Sequence, residues 1–135
     1  MENLKNLEDN DMCYACGKQN PNGLHLEFSF IEEEKRIETT FVPSDAYQGW
    51  KGVLHGGIIA TLVDESMAKL AQRLGYRALT ASLDIRFKDV AKTCDSLRVS
   101  AEVDKHSKKL LYAKAVATRE DVRVIAEAQA RLMIL

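Results

Sequence analysis

Two clusters in this chain have the residue types and spacing to do chemistry. One is His55-Gly56-Gly57, which closes a glycine-rich loop running from Gln48 through Gly49, Trp50 and Gly52. The other is Asp64-Glu65, inside an apolar run, with Asp64 nine residues after the histidine. A loop that opens directly into a helix leaves the first backbone N–H groups without intrahelical acceptors, backed by the positive end of the helix dipole. That end suits a developing negative charge, such as a polarised oxygen. A carboxylate inside an apolar helix is costly unless it has a partner or a task. The two clusters therefore read as parts of one active site.

A third cluster is Cys13-Tyr14-Ala15-Cys16-Gly17. Its spacing is that of half a zinc site. Only Cys94, His25, His55 and His106 remain to complete one, and none belongs to a paired motif. A redox pair would be followed by a helical pattern, which is missing here. The preferred reading is a structural turn, ahead of metal binding and of redox chemistry.

The elements that must position these residues follow from periodicity. Over 56–74, Ile58, Ile59, Leu62, Val63, Met67, Leu70 and Leu74 recur at helical spacing, and Gly75 ends the pattern. Glu65 and Lys69, four apart in the favourable order, read as a surface ion pair on the face that also carries Thr61. Ala60, Asp64, Ala68 and Ala71 make a stripe of small residues around one carboxylate, so another element can approach it closely. Upstream, Asn20-Pro21-Asn22-Gly23 is a turn. Leu24, Leu26, Phe28 and Phe30 then alternate as a strand that leaves His25 to solvent. An exposed acidic turn at 32–35 and a strand at 37–41 complete a hairpin. Tyr47 and Trp50 either wall a pocket or cap the core. Downstream, 79–87, 97–103, 111–117 and 122–134 alternate as four strands, with turns at 105–109 and around Asp121. The order β-β-α-β-β-β-β predicts an α+β fold, one long central helix wrapped by a mainly antiparallel sheet. It forms one domain over 13–135, after a flexible tail or short helix over 1–12.

The 135 residues carry 19 basic and 20 acidic side chains, a net charge of −1. That balance offers no bulk attraction to nucleic acid or an anionic membrane. No apolar run reaches the ~20 residues of a membrane span, and the first residues hold no apolar signal core. With an odd count of three cysteines, the expected location is cytoplasmic.

Nine helical residues separate His55 from Asp64 by roughly 13 Å along the axis. One chain cannot bring both groups to one substrate carbon. Two antiparallel copies of the helix across a two-fold axis can, which predicts a homodimer with shared sites.

With these residues placed, the chain resembles the hotdog-fold acyl-CoA thioesterases, in the branch similar to the phenylacetate-pathway and 4-hydroxybenzoyl-CoA enzymes. The likeness rests on the element order, on His55-Gly56-Gly57 opening the helix and on Asp64, and it covers 13–135. The stretches Cys13-x-x-Cys16-Gly17, Asn20-Pro21-x-Gly23-Leu24 and Gln48-Gly49-Trp50 resemble a subgroup of that fold. The resemblance implies Asp64 as the catalytic carboxylate, activating water or attacking directly. It implies the Gly57 N–H as the group polarising the thioester carbonyl, His55 as a supporting hydrogen-bond residue and Thr80 as a water-positioning hydroxyl. Substrate contacts are expected from Gln48 and Trp50 in the loop, and from Gly56, Ile58 and Thr61 at the helix start. Ser82, Arg86 and Lys88 follow on the next strand, with Lys105, Lys108 and Lys109 as further phosphate candidates. Two positions depart from the family: Gly49 stands where relatives carry an asparagine, with Gln48 as the nearest amide, and the exit 88–92 lacks the usual proline and glycine. The implied reaction is acyl-CoA plus water to carboxylic acid plus CoA, with no cofactor and no metal. The implied assembly is a homodimer, with a homotetramer as its extension. The alternatives are a non-catalytic acyl-CoA-binding protein, which has no reason to keep a desolvated Asp64, and a hydratase or dehydratase on the same fold.

Overall fold

Helix α1 (Gly56–Arg73) runs across one face of a six-stranded antiparallel sheet in the computed structural model, which describes residues 6–135. The strands are β1 (Ser29–Ile31), β2 (Arg36–Phe41), β3 (Ala78–Phe87), β4 (Leu97–His106), β5 (Leu110–Arg119) and β6 (Val124–Ile134). Their spatial order is β1-β2-β4-β5-β6-β3. The element order and the helix wrapped by the sheet agree with the hotdog architecture expected above.

The core forms because alanines line the sheet where α1 crosses it. Ala113, Ala115 and Ala117 of β5 and Ala126, Ala128 and Ala130 of β6 are buried beneath Leu62, Val63, Met67 and Leu70. Small inner side chains let the sheet curve close to the helix. Ser66, which the apolar stripe omits, is also fully buried; its hydroxyl donates to the Leu62 carbonyl at 2.7 Å, so it carries no unmet polar cost. The helix ends where Gly75 takes φ +93°. The Tyr76 N–H then bonds Ala71 O and the Gly75 N–H bonds Gln72 O, the paired closure of a Schellman motif.

The first strand is shorter than the alternation predicts. His25 sits at φ +53°, a left-handed value that no strand accommodates, so pairing with β2 starts only at Ser29. The N–H groups of Leu24 and Leu26 bond Tyr14 O and Ala15 O instead, fastening this segment to the cysteine turn. The His25 ring bonds the Asn20 carbonyl. Of the tail expected over 1–12, residues 1–5 lie outside the described residues. The next ones are tied down: Arg77 donates to Leu7 O, and Asn20 donates to Met12 O.

One irregularity decides how β3 meets the helix. Its pairing with β6 slips between Thr80 and Ser82, a β-bulge centred on Ala81. Before the bulge Thr80 pairs with buried Leu132; after it Leu83 and Ile85 pair with buried Ala130 and Ala128. Cross-strand partners share a face, so Thr80, Leu83, Ile85 and Phe87 all point toward α1, and Leu79 points away. Unbroken period-2 alternation would have turned Thr80 away.

Candidate active site

The loop before α1 is closed by its own hydrogen bonds. The Gln48 side chain accepts from Gly52 N–H at 2.9 Å, Gly49 N–H bonds Val53 O, and Gly52 takes φ +74°. His55 N–H bonds Tyr47 O, and Leu54 N–H bonds Ala91 O. These bonds fix the point at which the chain enters the helix. Tyr47 packs on Phe41 at 5.8 Å between ring centroids and caps the core. Trp50, at the loop tip, is 85% exposed and walls nothing within this chain.

His55 is the N-cap of α1, and its Nδ1 accepts the Gly57 N–H at 2.8 Å. An accepting Nδ1 carries no proton, so the neutral ring holds its hydrogen on Nε2. The Gly57 N–H thus already has an acceptor. It can reach a ligand oxygen only by sharing its hydrogen or after the ring turns aside. A Cβ on Gly57 would lie 3.0 Å from Nδ1, and one on Gly49 would lie 3.6 Å from the ring, so both glycines leave room for the imidazole. Gly56 is backed by the Phe87 ring, 3.6 Å from where its Cβ would stand. The first turn of α1 holds no acidic residue, so its positive end stays uncompensated.

Two turns along, half-buried Asp64 accepts the Thr80 hydroxyl at 2.7 Å. The bulge makes this contact possible. The small-residue stripe therefore has a neighbour inside the chain: the first half of β3 lies along it. Around Asp64, Thr61 returns its hydroxyl to the Gly57 carbonyl at 2.9 Å, and Ile58 is half-buried. Leu62, also expected beside the acyl group, is fully buried against the sheet.

The other expected substrate contacts are not gathered here. Ser82 pairs with Arg131, and Arg86 with Glu127, on the outer face of the sheet. They line grooves there with Asp84 and Lys114. Lys88 is exposed at the exit of β3, its N–H bonded to Ile125 O. The outer-face grooves, and the cleft between Phe30 and Arg73, are lined by neither Asp64 nor His55.

A sequence model of the thioesterase superfamily matches residues 51–126. The chain belongs to the thioesterase superfamily. It is 28% identical over 110 residues to acyl-coenzyme A thioesterase THEM5 of Homo sapiens, a match covering 82% of this chain and 44% of that protein. The chain thus spans under half the length of this curated relative. Among solved structures, a hypothetical thioesterase protein with coenzyme A from Streptococcus pneumoniae TIGR4 superposes with a TM-score of 0.76 at 18% identity, over 82% of this chain and 85% of that one. The Escherichia coli PaaI protein from the phenylacetic acid degradation operon gives 0.77 at 17% identity, over 83% and 80%. At such identities the likeness establishes the hotdog fold.

The superfamily match takes in the His55–Asp64–Thr80 region and leaves out the cysteine turn. There the structure corrects a sequence reading. Glu65 has no ion pair with Lys69, whose amine bonds Gln72 at 3.2 Å. Glu65 faces Cys13 instead, with Sγ to Oε1 at 3.8 Å, and Cys16 stands beside it. Burial, then the Glu65 carboxylate, push the Cys16 thiol up to about 12. No local signal could have found this trio, because Cys13 and Glu65 are 52 residues apart.

Proposed function

We propose that this chain hydrolyses an acyl-CoA thioester to a carboxylic acid and CoA, in a homodimer whose two sites are each shared between chains. The observation that carries the reading is the Thr80–Asp64 hydrogen bond on a helix that opens with His55-Gly56-Gly57. It holds one carboxylate oxygen and leaves the other to take a proton from water. The water oxygen adds to the thioester carbon, the C–S bond breaks, and the electron pair leaves on sulfur. A thiol pKa of ~8.5 makes that thiolate a fair leaving group without a strong general acid. Direct attack by Asp64, through an anhydride that water then opens, is the variant of the same chemistry.

The carbonyl oxygen would lie at the helix N-terminus, where charge developing on it is stabilised by backbone N–H dipoles. Because Gly57 N–H already serves His55, substrate binding must compete with the ring or displace it. Losing one such donor typically costs ~3–4 kcal/mol of barrier. The Nε2–H that the cap enforces gives the site a second donor beside the backbone N–H groups.

The dimer is supported by what the single chain leaves open. Among the described residues, β3 is an edge strand of ten residues with no neighbour on one side, and an uncovered edge is ordinarily paired or blocked. On it Leu83 is 36% and Phe87 54% exposed. A second copy would cover these residues and bring its helix start to Asp64. Arg86 and Lys88 would then serve as phosphate contacts at the rim. The three free thiols favour the cytoplasm as the compartment.

The test is hydrolysis of a panel of acyl-CoAs by the purified chain, wild type beside Asp64→Asn. Shared sites are tested by co-refolding His55→Ala with Asp64→Asn. In a mixed dimer one site then combines two lesions and the other has none. Recovery toward about a quarter of wild-type activity is expected for random pairing. No recovery above the two single variants would sink the shared-site arrangement, even if hydrolysis itself is observed.

A further inference from the structure

The hydrolysis proposed above makes no use of Cys13, Cys16 or Glu65. Their three ligating atoms, two Sγ and one carboxylate oxygen, lie within 4.8 Å of one another. Zinc holds a thiolate at about 2.3 Å and a carboxylate oxygen at about 2.1 Å, so in a tetrahedral site a sulfur and an oxygen stand about 3.6 Å apart. Cys13 Sγ and Glu65 Oε1 are already 3.8 Å apart. Small side-chain rotations bring the trio to three corners of a tetrahedron.

The backbone that presents the thiols is built for the purpose. Gly17 N–H bonds Cys13 O at 2.8 Å and closes the turn. A Cβ on Gly17 would fall 2.4 Å from Cys13 N, so only glycine allows this winding. The bonds from Leu24 and Leu26 to Tyr14 and Ala15 hold the turn from outside, and Ala15 is buried beneath it. Glu65 arrives from α1, a rigid element.

Charge points the same way. Among the described residues, half-buried Glu65 has no cation within ion-pair distance; its helical neighbour Lys69 is turned to Gln72. A carboxylate out of water and without a counter-charge is costly. Thiolates are soft ligands that select zinc over magnesium or calcium. Two thiolates and a carboxylate leave a divalent ion with one excess negative charge, which Lys69, lining the same cleft, offsets.

We propose that Cys13, Cys16 and Glu65 form a zinc site that staples the N-terminal turn to α1. The fourth position opens to the cleft shared with Glu8 and Asp9 and takes water or one of those carboxylates. Both thiols release their protons to solvent as the metal binds. The sequence reading preferred a structural turn because it sought a second Cys or His pair, whereas the completing ligand proposed here is a helix carboxylate.

The test measures zinc in the full chain, produced with zinc and purified under a non-chelating reductant. Wild type and Cys94→Ser should retain one zinc per chain, and Cys13→Ser/Cys16→Ser essentially none. Glu65→Gln should bind more than about tenfold more weakly, the loss expected even for an outer-sphere partner. Cobalt(II) added to the metal-free wild type should give thiolate-to-cobalt charge transfer and intense tetrahedral visible bands, so the result does not depend on the double variant folding. Zinc-poor wild type with no cobalt–thiolate absorption would overturn the proposal. So would equal zinc in every variant, or a Cys13–Cys16 disulfide that persists under the reductant and excludes the metal.

Discussion

Asp64 and Glu65 occupy adjacent positions on α1, about 100° apart around its axis, and they look onto different neighbourhoods. Asp64 faces an edge strand and receives one hydroxyl, from Thr80. Glu65 faces the N-terminal turn and meets two thiols. A carboxylate held by one neutral donor keeps lone pairs free and remains available as a base. A carboxylate among soft ligands, without a cation of its own, is a metal ligand in waiting. The sequence separated them as a carboxylate in a small-residue stripe and a surface ion pair; the element packed against each one sets their chemistry instead.

The comparison breaks first on rates. Asp64→Asn should lower kcat by about 10²–10⁴-fold, the usual worth of a general base. Glu65→Gln should lower it by less than about tenfold on the same scale. Initial rates of CoA release on an accepted acyl-CoA measure both, and equal losses would erase the distinction. Next comes the donor to Asp64. A hydrogen bond to a charged group is worth about 1.5–3 kcal/mol, so Thr80→Val should slow turnover by roughly 10- to 100-fold. Thr80→Ser, which keeps the hydroxyl, should recover most of that loss in the same assay.

A smaller effect probes Glu65 chemically. The Cys16 thiol is pushed up to about 12 by burial and the Glu65 carboxylate, so little thiolate exists near neutral pH. In metal-free reduced protein, iodoacetamide at pH 8 should label exposed Cys94 at least about tenfold faster than Cys16, since only the thiolate reacts. Glu65→Gln should narrow that gap, as read by peptide mass spectrometry.

The smallest effect lies in a third kind of acidic neighbourhood. Between the β5–β6 turn and the exit of β3, Asp121 pairs with Arg119 and Arg123, and Asp89 joins both arginines. The Arg119 side chain, then the Arg123 backbone N–H, hold the Asp121 carboxyl below its ordinary 3.8. A depressed folded-state pKa contributes stability above the unfolded value and loses it as the pH falls. Asp121→Asn should therefore show a small Tm deficit at pH 7 that closes as the pH drops below 3.8. Exposed pairs of this kind contribute little, so a deficit that persists unchanged into acid would mean that Asp121 acts through packing.

Much of the fold was legible because it follows from periodicity and chain stops. The α1 stripe ends one residue past the helix at Leu74, Gly75 closes it, and the strands downstream of α1 fall within a few residues of their alternating runs. Local rules failed where a distant partner intervened. The favourable spacing of Glu65 and Lys69 suggested an ion pair, but Cys13, 52 residues away, lies against the glutamate. The alternation over 24–30 suggested a full strand, but the left-handed His25 hands its first half to the cysteine turn. The phase of β3 was equally hidden. Leu79-Thr80-Ala81-Ser82 is small or polar enough to read in either register, and only pairing with β6 fixes it. Within the candidate site, His55, Gly57 and Asp64 were readable as types and positions. The bond between His55 and Gly57 was not, because N-cap geometry depends on the ring's orientation.

The bulge in β3 has a genetic corollary. A strand pairs residue by residue, so the extra residue at Ala81 acts as a phase shifter between its two halves. Loss of that single codon would leave every residue of the candidate site in the chain. With Ala81 gone, Thr80 opposite Leu132 and Ser82 opposite Arg131 would become consecutive pairs, so Thr80 would keep its face toward α1 while the local bend and extra twist of the bulge were lost. The strand thus tolerates loss of that codon, whereas with the bulge kept, deleting Ser82 or Leu83, which hold paired positions on β6, would force the two halves out of step.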